Sequence, residues 1–325
     1  MNTVAQTLAS LKLGDAVHHR NLAVFPLYAP SDASPDYLTL DEALATGLAR
    51  VTEVSEAGRV PELLFENAAD RSVLLVDGEE LIGARQNRIL NLSVLVGAKS
   101  SVVIPVSCVE SGRWRYESRN FRSGHVHMYA EARAEKTQDV SRSLRESGSR
   151  RGDQGRVWDN IERKQRSMNV DSSTSSMHDI YEQRQGDLAR YQSAFDAKAG
   201  QVGAVFAINR RVRGLELFDA ASTFAKFMQK ILGSYALDAV SGIGGASAVS
   251  AAVPPASAAQ AFVDRLQQAS LQTFKALAQG EDLRLGQGDV SGGALVVGDR
   301  VVHLAAFAVE ARPGVSDGFR RASGW

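Results

Sequence analysis

Apolar positions alternate with polar ones through much of residues 21–129, and then recur at three- and four-residue steps from about residue 130. NLAVFPLYAP (21–30) predicts a strand ended by Pro30. TLDEALATGL (39–48) predicts a short helix, with Thr39 as its cap, acids in its first turn and Gly47 near its end. VTEVSEAG (51–58), PELLFENA (61–68) and SVLLVDGEELIG (72–83) predict antiparallel strands with tight turns. Within the last of these, Asp77-Gly78 is the strongest hairpin signal in the chain. NRILNLSVLV (87–96) and SSVVIPVSCVE (100–110) continue the strand series.

Residues 130–147 are helix-like and give way to the breaker-rich basic stretch GSRRGDQGR (148–156). Val157, Trp158, Ile161 and Met168 keep helical spacing, and DSSTSS (171–176) supplies cap residues. The next helix carries Met177, Ile180, Tyr181, Leu188, Tyr191 and Phe195 on one face. GAVFAINRRVRGLELF (203–218) reads as strand–turn–strand, 224–240 as a helix, 242–259 as a mobile small-residue loop and 260–278 as the last long helix. GALVVGDRVVHLAAFAV (293–309) reads as a hairpin around Gly298-Asp299. SVLLVDGEELIG, GAVFAINRRVRGLELF and GALVVGDRVVHLAAF share one design, which is common hairpin chemistry and not a repeat.

The expected fold is α+β: an antiparallel, sandwich-like β-sheet core with helices packed on one side. Residues 1–20 form an N-terminal arm or docking helix, and 311–325 a fraying tail. A single domain spans 21–310, strand-rich over 21–129, helical over 130–198 and mixed over 203–310.

Composition adds exclusions more than assignments. The 325 residues are 44% hydrophobic and 23% charged, as in a soluble globular protein. A formal net charge of zero gives no whole-molecule attraction to nucleic acid or anionic membrane. Cys108 stands alone, so no intrachain disulfide forms. No apolar run approaches the roughly 20 residues a bilayer span needs. The N-terminus lacks the basic-then-apolar pattern of a secretory signal. A cytoplasmic location is the expectation.

Candidate chemistry concentrates in 74–114, where polar residues stand densely among apolar runs and suggest a cleft. Asp77-Gly78-Glu79-Glu80 offers carboxylates beside a turn, suited to a hard cation or a general base, or simply to a solvated hairpin. Gln86, Asn87 and Arg88, with Asn91, could grip a nucleotide through amides and a guanidinium, or could satisfy buried backbone where strands bend. Cys108 follows an apolar run and reads more readily as inert core than as a nucleophile. Glu110 and Arg113 form a candidate charged pair, functional or structural, and Trp114 a candidate stacking surface. His125 and His127 share a strand face if extended, a two-ligand spacing that needs further ligands, so the metal is left unknown. The arginines between 142 and 166, Arg163 among them, could bind phosphate or RNA, but they alternate with acids and read more readily as a salt-bridged helical face. Phosphate-loop, nucleophile-elbow and zinc-type motifs are absent from the sequence, and the cofactor stays unknown.

PELLFEN, LLVDGEELIGARQNRILN and IPVSCVESGRW resemble the signature of the ARG-and-Rhodanese-Phosphatase-superfamily-associated protein domain. GQVGAVFAINRRVRGLELFD is similar to that family's second conserved block, so the resemblance runs from about residue 22 to about 239. It implies an association with ADP-ribosylglycohydrolase-type and rhodanese-phosphatase-type proteins, and hence with ADP-ribose or other phosphorylated nucleotides. It supplies motif positions and no catalytic roles. The functional expectation is binding of ADP-ribose or a related phosphorylated nucleotide in a polar cleft formed by 77–114, with hydrolysis left open. Glu79, Glu80 and Glu110 would be the catalytic acids and bases. Asp77, Gln86, Asn87, Arg88, Asn91, Arg113 and Trp114 would hold the substrate. The alternative is a non-catalytic module that docks onto a partner enzyme.

Overall fold

The computed structural model describes residues 2–55, 61–115, 118–242 and 253–309. Helix α1 (Thr3–Ser10) opens the chain, followed by strands β1 (Lys12–Leu13), β2 (Val17–His19) and β3 (Leu22–Tyr28). Strand β4 (Tyr37–Thr39) runs into α2 (Leu40–Ala45), which Thr39 caps as expected, and Glu42 returns the contact to close a reciprocal capping box. Next come β5 (Ala49–Glu53), β6 (Glu62–Asn67), β7 (Ser72–Leu75) and β8 (Glu79–Gly83). They are followed by β9 (Arg88–Leu90), β10 (Val94–Val96), β11 (Ser100–Cys108) and β12 (Phe121–His127). Helices α3 (Ala130–Ser147), α4 (Gln154–Met168), α5 (Met177–Gln183) and α6 (Gln185–Gln192) form the central helical stretch. The remainder is β13 (Gln201–Ile208), β14 (Arg211–Phe218), α7 (Ala221–Ser241), α8 (Ala256–Gln268) and four last strands. These are β15 (Leu271–Lys275), β16 (Glu281–Gln287), β17 (Val290–Val297) and β18 (Arg300–Ala308).

The fold is α+β. The largest sheet runs β1-β3-β13-β14-β18-β17-β16-β15, with β2 also on β3. A second runs β12-β8-β9-β11-β6-β5 and a third β10-β7-β4. Among the described strands all pairs are antiparallel except β4–β7. The sheets curl and do not stack as a clear sandwich.

Alternation along the central strands gives the large sheet two buried faces. Val24, Ala204, Phe206 and Phe307 share a core with Phe224, Phe227 and Ile231 of α7. Their neighbours Phe25, Val205, Leu304 and Ala306 pack with Val4 and Leu8 of α1 and Phe262 and Leu266 of α8. Helices therefore cover both faces of this sheet, where one face was expected: α3 to α7 belong to the first side, and α1 and α8 close the other.

Two of the three look-alike segments form hairpins, β13–β14 and β17–β18. The third does not. β7 pairs with β10 and β4, whereas β8 pairs with β12 and β9, so Asp77-Gly78 carries the chain from one sheet into another. Residues 87–96, expected as one strand, likewise divide into β9 and β10 in different sheets. The helix expected over 260–278 stops at Gln268, and Leu271–Lys275 instead forms an edge strand on β16. Most of the loop expected at 242–259, and the tail at 311–325, lie outside the described residues.

Candidate functional site

Asp77 lies where the sheets cross, and two cations of α3 meet it there. Lys136 forms an ion pair with its carboxylate, and Arg133 approaches it at 3.4 Å. Lys136 also donates to the carbonyls of Leu90 and Asn91 at 2.9 and 3.1 Å, closing the strand end. Arg133 bridges onward to Glu216 at 2.7 Å, and Glu216 accepts from Tyr235 at 3.3 Å. Burial alone would raise the Asp77 carboxyl, but Lys136 and Arg133 outweigh it and hold it below the ordinary value. Gly78 adopts φ +85°, and a Cβ there would stand 2.7 Å from Nε of Arg133. The backbone turns tightly because the guanidinium occupies that space.

Glu79 and Glu80 point to different partners, as strand alternation requires. Glu79 is bound by Lys230 of α7 at 2.8 Å and by the Val76 amide at 2.8 Å, and Lys230 also meets Asp41 at 2.6 Å. Glu80 accepts from Nδ1 of His178 at 2.7 Å.

Glu110, Arg113, Asn87, Gln86 and Arg88 do come together, in the interior. Glu110 takes the Arg113 guanidinium at 2.7 Å, the Asn87 amide at 3.1 Å and the Thr174 hydroxyl at 2.9 Å. Arg113 also donates to Asn87 Oδ1 and to the Ala84 carbonyl, both at 3.0 Å. Gln86 donates to the Glu110 carbonyl at 2.9 Å and accepts from Arg88 at 3.2 Å. Asn91 stands apart, bonded to Ser107 and to the Arg150 carbonyl. Cys108 is buried, its thiol pushed up by desolvation. Trp114 alone is half-exposed, with Arg85 over its ring at 5.5 Å. The sequence-predicted site residues thus occupy several separate clusters, mostly closed to solvent.

His125 and His127 do not share a face. His125 adopts φ +56° within an irregular stretch of β12 and is exposed, while His127 is fully buried. Burial lowers His127 well below the ordinary histidine value. Among the described residues no group of three or more His, Cys, Asp or Glu side chains is placed to hold a metal ion. The arginines of 142–166 are largely paired, Arg142 and Arg156 with Asp139, and Arg166 with Glu162.

An open polar cleft lies elsewhere. About 640 Å³ opens between α3, α4, the end of α7 and the β13–β14 turn. Lys164 sits in its wall, 5% exposed. It donates to Asp238 at 2.8 Å, Glu131 at 3.0 Å and Ser241 at 3.2 Å, above the Tyr129 ring at 4.7 Å. Burial pushes Asp238 up, whereas Lys164 outweighs burial at Glu131 and holds it down, with help from Arg163 and Arg213. Arg163 and Arg213 both line the cleft. Arg163 is largely exposed and 3.8 Å from Glu135, and Arg213 has no ion-pair partner among the described residues. The sequence does not group these residues, because Glu131, Arg163 and Asp238 look like ordinary helix-surface charges and Arg213 like a strand residue after a turn. Their one local signal is INRRVR (208–213), whose turn residues Asn209 and Arg210 take φ +50° and +65° without glycine.

Among the described residues no helix is long and apolar enough to cross a membrane. No curated protein and no solved structure matches the chain. A family model does match, over residues 10–307, which spans the large sheet, the buried clusters and the open cleft. By that match, the chain belongs to the ARG and Rhodanese-Phosphatase-superfamily-associated Protein domain family.

Proposed function

We propose that the chain binds ADP-ribose or a related phosphorylated nucleotide, in the cleft between α3, α4, α7 and the β13–β14 turn. The observation that carries this is the pairing of chemistries in one hollow. Arg163 and Arg213 offer guanidinium forks for phosphate, beside the carboxylates of Glu131 and Asp238, which suit ribose hydroxyls. A volume of about 640 Å³ falls inside the ligand-pocket range of roughly 300–1,000 Å³. The family's name ties it to ADP-ribosylglycohydrolases, which makes ADP-ribose the first ligand to try. Asp238 and Glu131, shifted in opposite directions, are the kind of pair that glycosidic hydrolysis uses, but the claim is binding. The buried residues of 77–114 then act as the frame that fixes the sheets, and not as ligand contacts.

The test is a thermal-shift series with ADP-ribose, AMP, adenosine and inorganic phosphate. Ligand that binds only the folded state at 100 times its Kd adds about 2.7 kcal/mol of stability. ADP-ribose should raise the melting temperature and adenosine should not. No shift with ADP-ribose or AMP in a monodisperse sample would count against binding. A second reading, docking onto an ADP-ribosylglycohydrolase-type or rhodanese-phosphatase-type partner, is favoured by the half-exposed Trp114 with Arg85 stacked on it. Co-elution with such a partner that is lost in Trp114→Ala would support it.

A further inference from the structure

A second cleft, of about 310 Å³, lies over α5, α6 and the middle of α7, and the cleft just described does not use it. Its wall holds the His178 imidazole, one-fifth exposed. Behind His178 stands Glu80, fully buried, giving Oε2 to Nδ1 at 2.7 Å and leaving Oε1 without a hydrogen-bond partner. The carboxylate fits only because residue 124 is glycine, where a Cβ would stand 2.4 Å from Oε2. A buried carboxylate that orients an imidazole from behind leaves Nε2 on the cleft side. Glu182 approaches Nε2 at 3.5 Å, but its side chain is 68% exposed and can swing away.

The surroundings select the substrate. Lys230 is the one lysine or arginine among the described lining residues and is engaged by Glu79 and Asp41, while the exposed His125 on the rim lies 3.7 Å from Asp41. With Glu182 on the rim, an anionic ligand gains little here. The exposed side-chain amides of Gln185 and Gln229 and the apolar Leu188 suit an uncharged molecule.

We propose that His178 is a general base, positioned by Glu80, for hydrolysis of small uncharged esters in this cleft. Nε2 takes a proton from water as the water oxygen bonds to the carbonyl carbon. The bond from that carbon to the leaving oxygen then breaks, and the imidazolium returns its proton to the departing alcohol. The products are a carboxylic acid and an alcohol, and nothing else is consumed. Glu80 accepts from His178, which holds the imidazole above its ordinary value. Burial and Arg122 of β12 oppose this, and Glu182 reinforces it.

The probe is p-nitrophenyl acetate with the full chain. Hydrolysis should rise with pH through an inflection above about 6.5, the ordinary histidine value. General-base catalysis contributes about 10²–10⁴-fold, so His178→Gln should lose at least tenfold. His18→Gln, at an exposed position remote from the cleft lining, should keep the wild-type rate. Glu80→Gln should move the inflection downward, an effect that loss of packing alone does not give. A wild-type rate in His178→Gln, or an unmoved inflection in Glu80→Gln, overturns the proposal. If Glu80→Gln does not fold, the NMR titration of His178 in the wild-type protein decides. A midpoint above about 6.5 supports the pair, and one at or below it refutes it. None of these outcomes depends on whether ADP-ribose binds elsewhere.

Discussion

Asp77 and Lys136 form an ion pair inside the protein, at the point where the backbone leaves one sheet for another. Neither side chain has water to replace the other, since Lys136 is 1% exposed and Asp77 7%. Removing one partner of such a pair costs about 3–5 kcal/mol, because a buried charge is left uncompensated. Asp77→Asn should therefore lower the urea midpoint by that equivalent. Asp77→Asn combined with Lys136→Met should lose less than the sum of the single changes.

The same pair sets an acid limit. The folded carboxyl of Asp77 is held below its ordinary 3.8, so its contribution is full above that value and is lost as pH falls through the folded value. Stability measured by urea from pH 5 down to pH 2, round figures of about one unit on either side of the carboxylate range, should fall more steeply in wild type than in Asp77→Asn. Equal slopes would show that Asp77 carries no net linkage.

Gly78→Ala tests the turn itself. Alanine at φ +85° is strained, and its methyl would meet Arg133 at 2.7 Å, where the side chain is locked by Glu216 and Asp77. A loss of about 1–3 kcal/mol is expected from backbone strain before any repacking. A variant as stable as wild type would mean that the crossing relaxes freely.

Arg113 cannot be replaced by another cation. It reaches Glu110, Asn87 and the Ala84 carbonyl with a planar fork, and lysine offers one point charge. Arg113→Ala should lose about 3–5 kcal/mol, and Arg113→Lys should recover only part of it by thermal or urea unfolding.

The β13–β14 turn carries strain in the opposite sense. Arg210 at φ +65° sits where a left-handed residue costs about 1–2 kcal/mol and glycine nothing. Glycine adds about 0.4–1 kcal/mol of unfolded-chain entropy, so Arg210→Gly should raise stability by a fraction of a kcal/mol. A fall in melting temperature would show that the Arg210 side chain supplies a compensating contact.

The α+β class and most helices were legible because their signals are local. Thr39 three residues before Glu42, and Gly148 after the last turn of α3, mark helix ends from sequence alone. The Asp77-Gly78 crossing was not legible. It has the same turn chemistry as the two true hairpins, and what redirects it is a pair of cations more than fifty residues away. Lys136 and Arg133 lie in a charge-rich helix-like stretch with no sequence mark of burial, yet both are buried. The helical pattern over 260–278 runs on through Leu271–Lys275, because an edge strand shows its nature only where β16 lies beside it. In the sequence, density of polar residues in 77–114 suggests a cleft, but such residues satisfy one another in an interior as readily as they line one. The open cleft is not legible in the sequence, because Glu131, Arg163, Arg213 and Asp238 come from distant segments and none is unusual in its own window.

Calorimetric titration of ADP-ribose into the wild-type chain and into Arg163→Ala and Arg213→Ala addresses ligand binding most directly. Binding to wild type is expected, with affinity lowered tenfold or more in Arg213→Ala, equivalent to about 1.4 kcal/mol. Absence of heat with wild type at millimolar ligand, or equal affinity in all three proteins, would contradict a phosphate grip in this cleft.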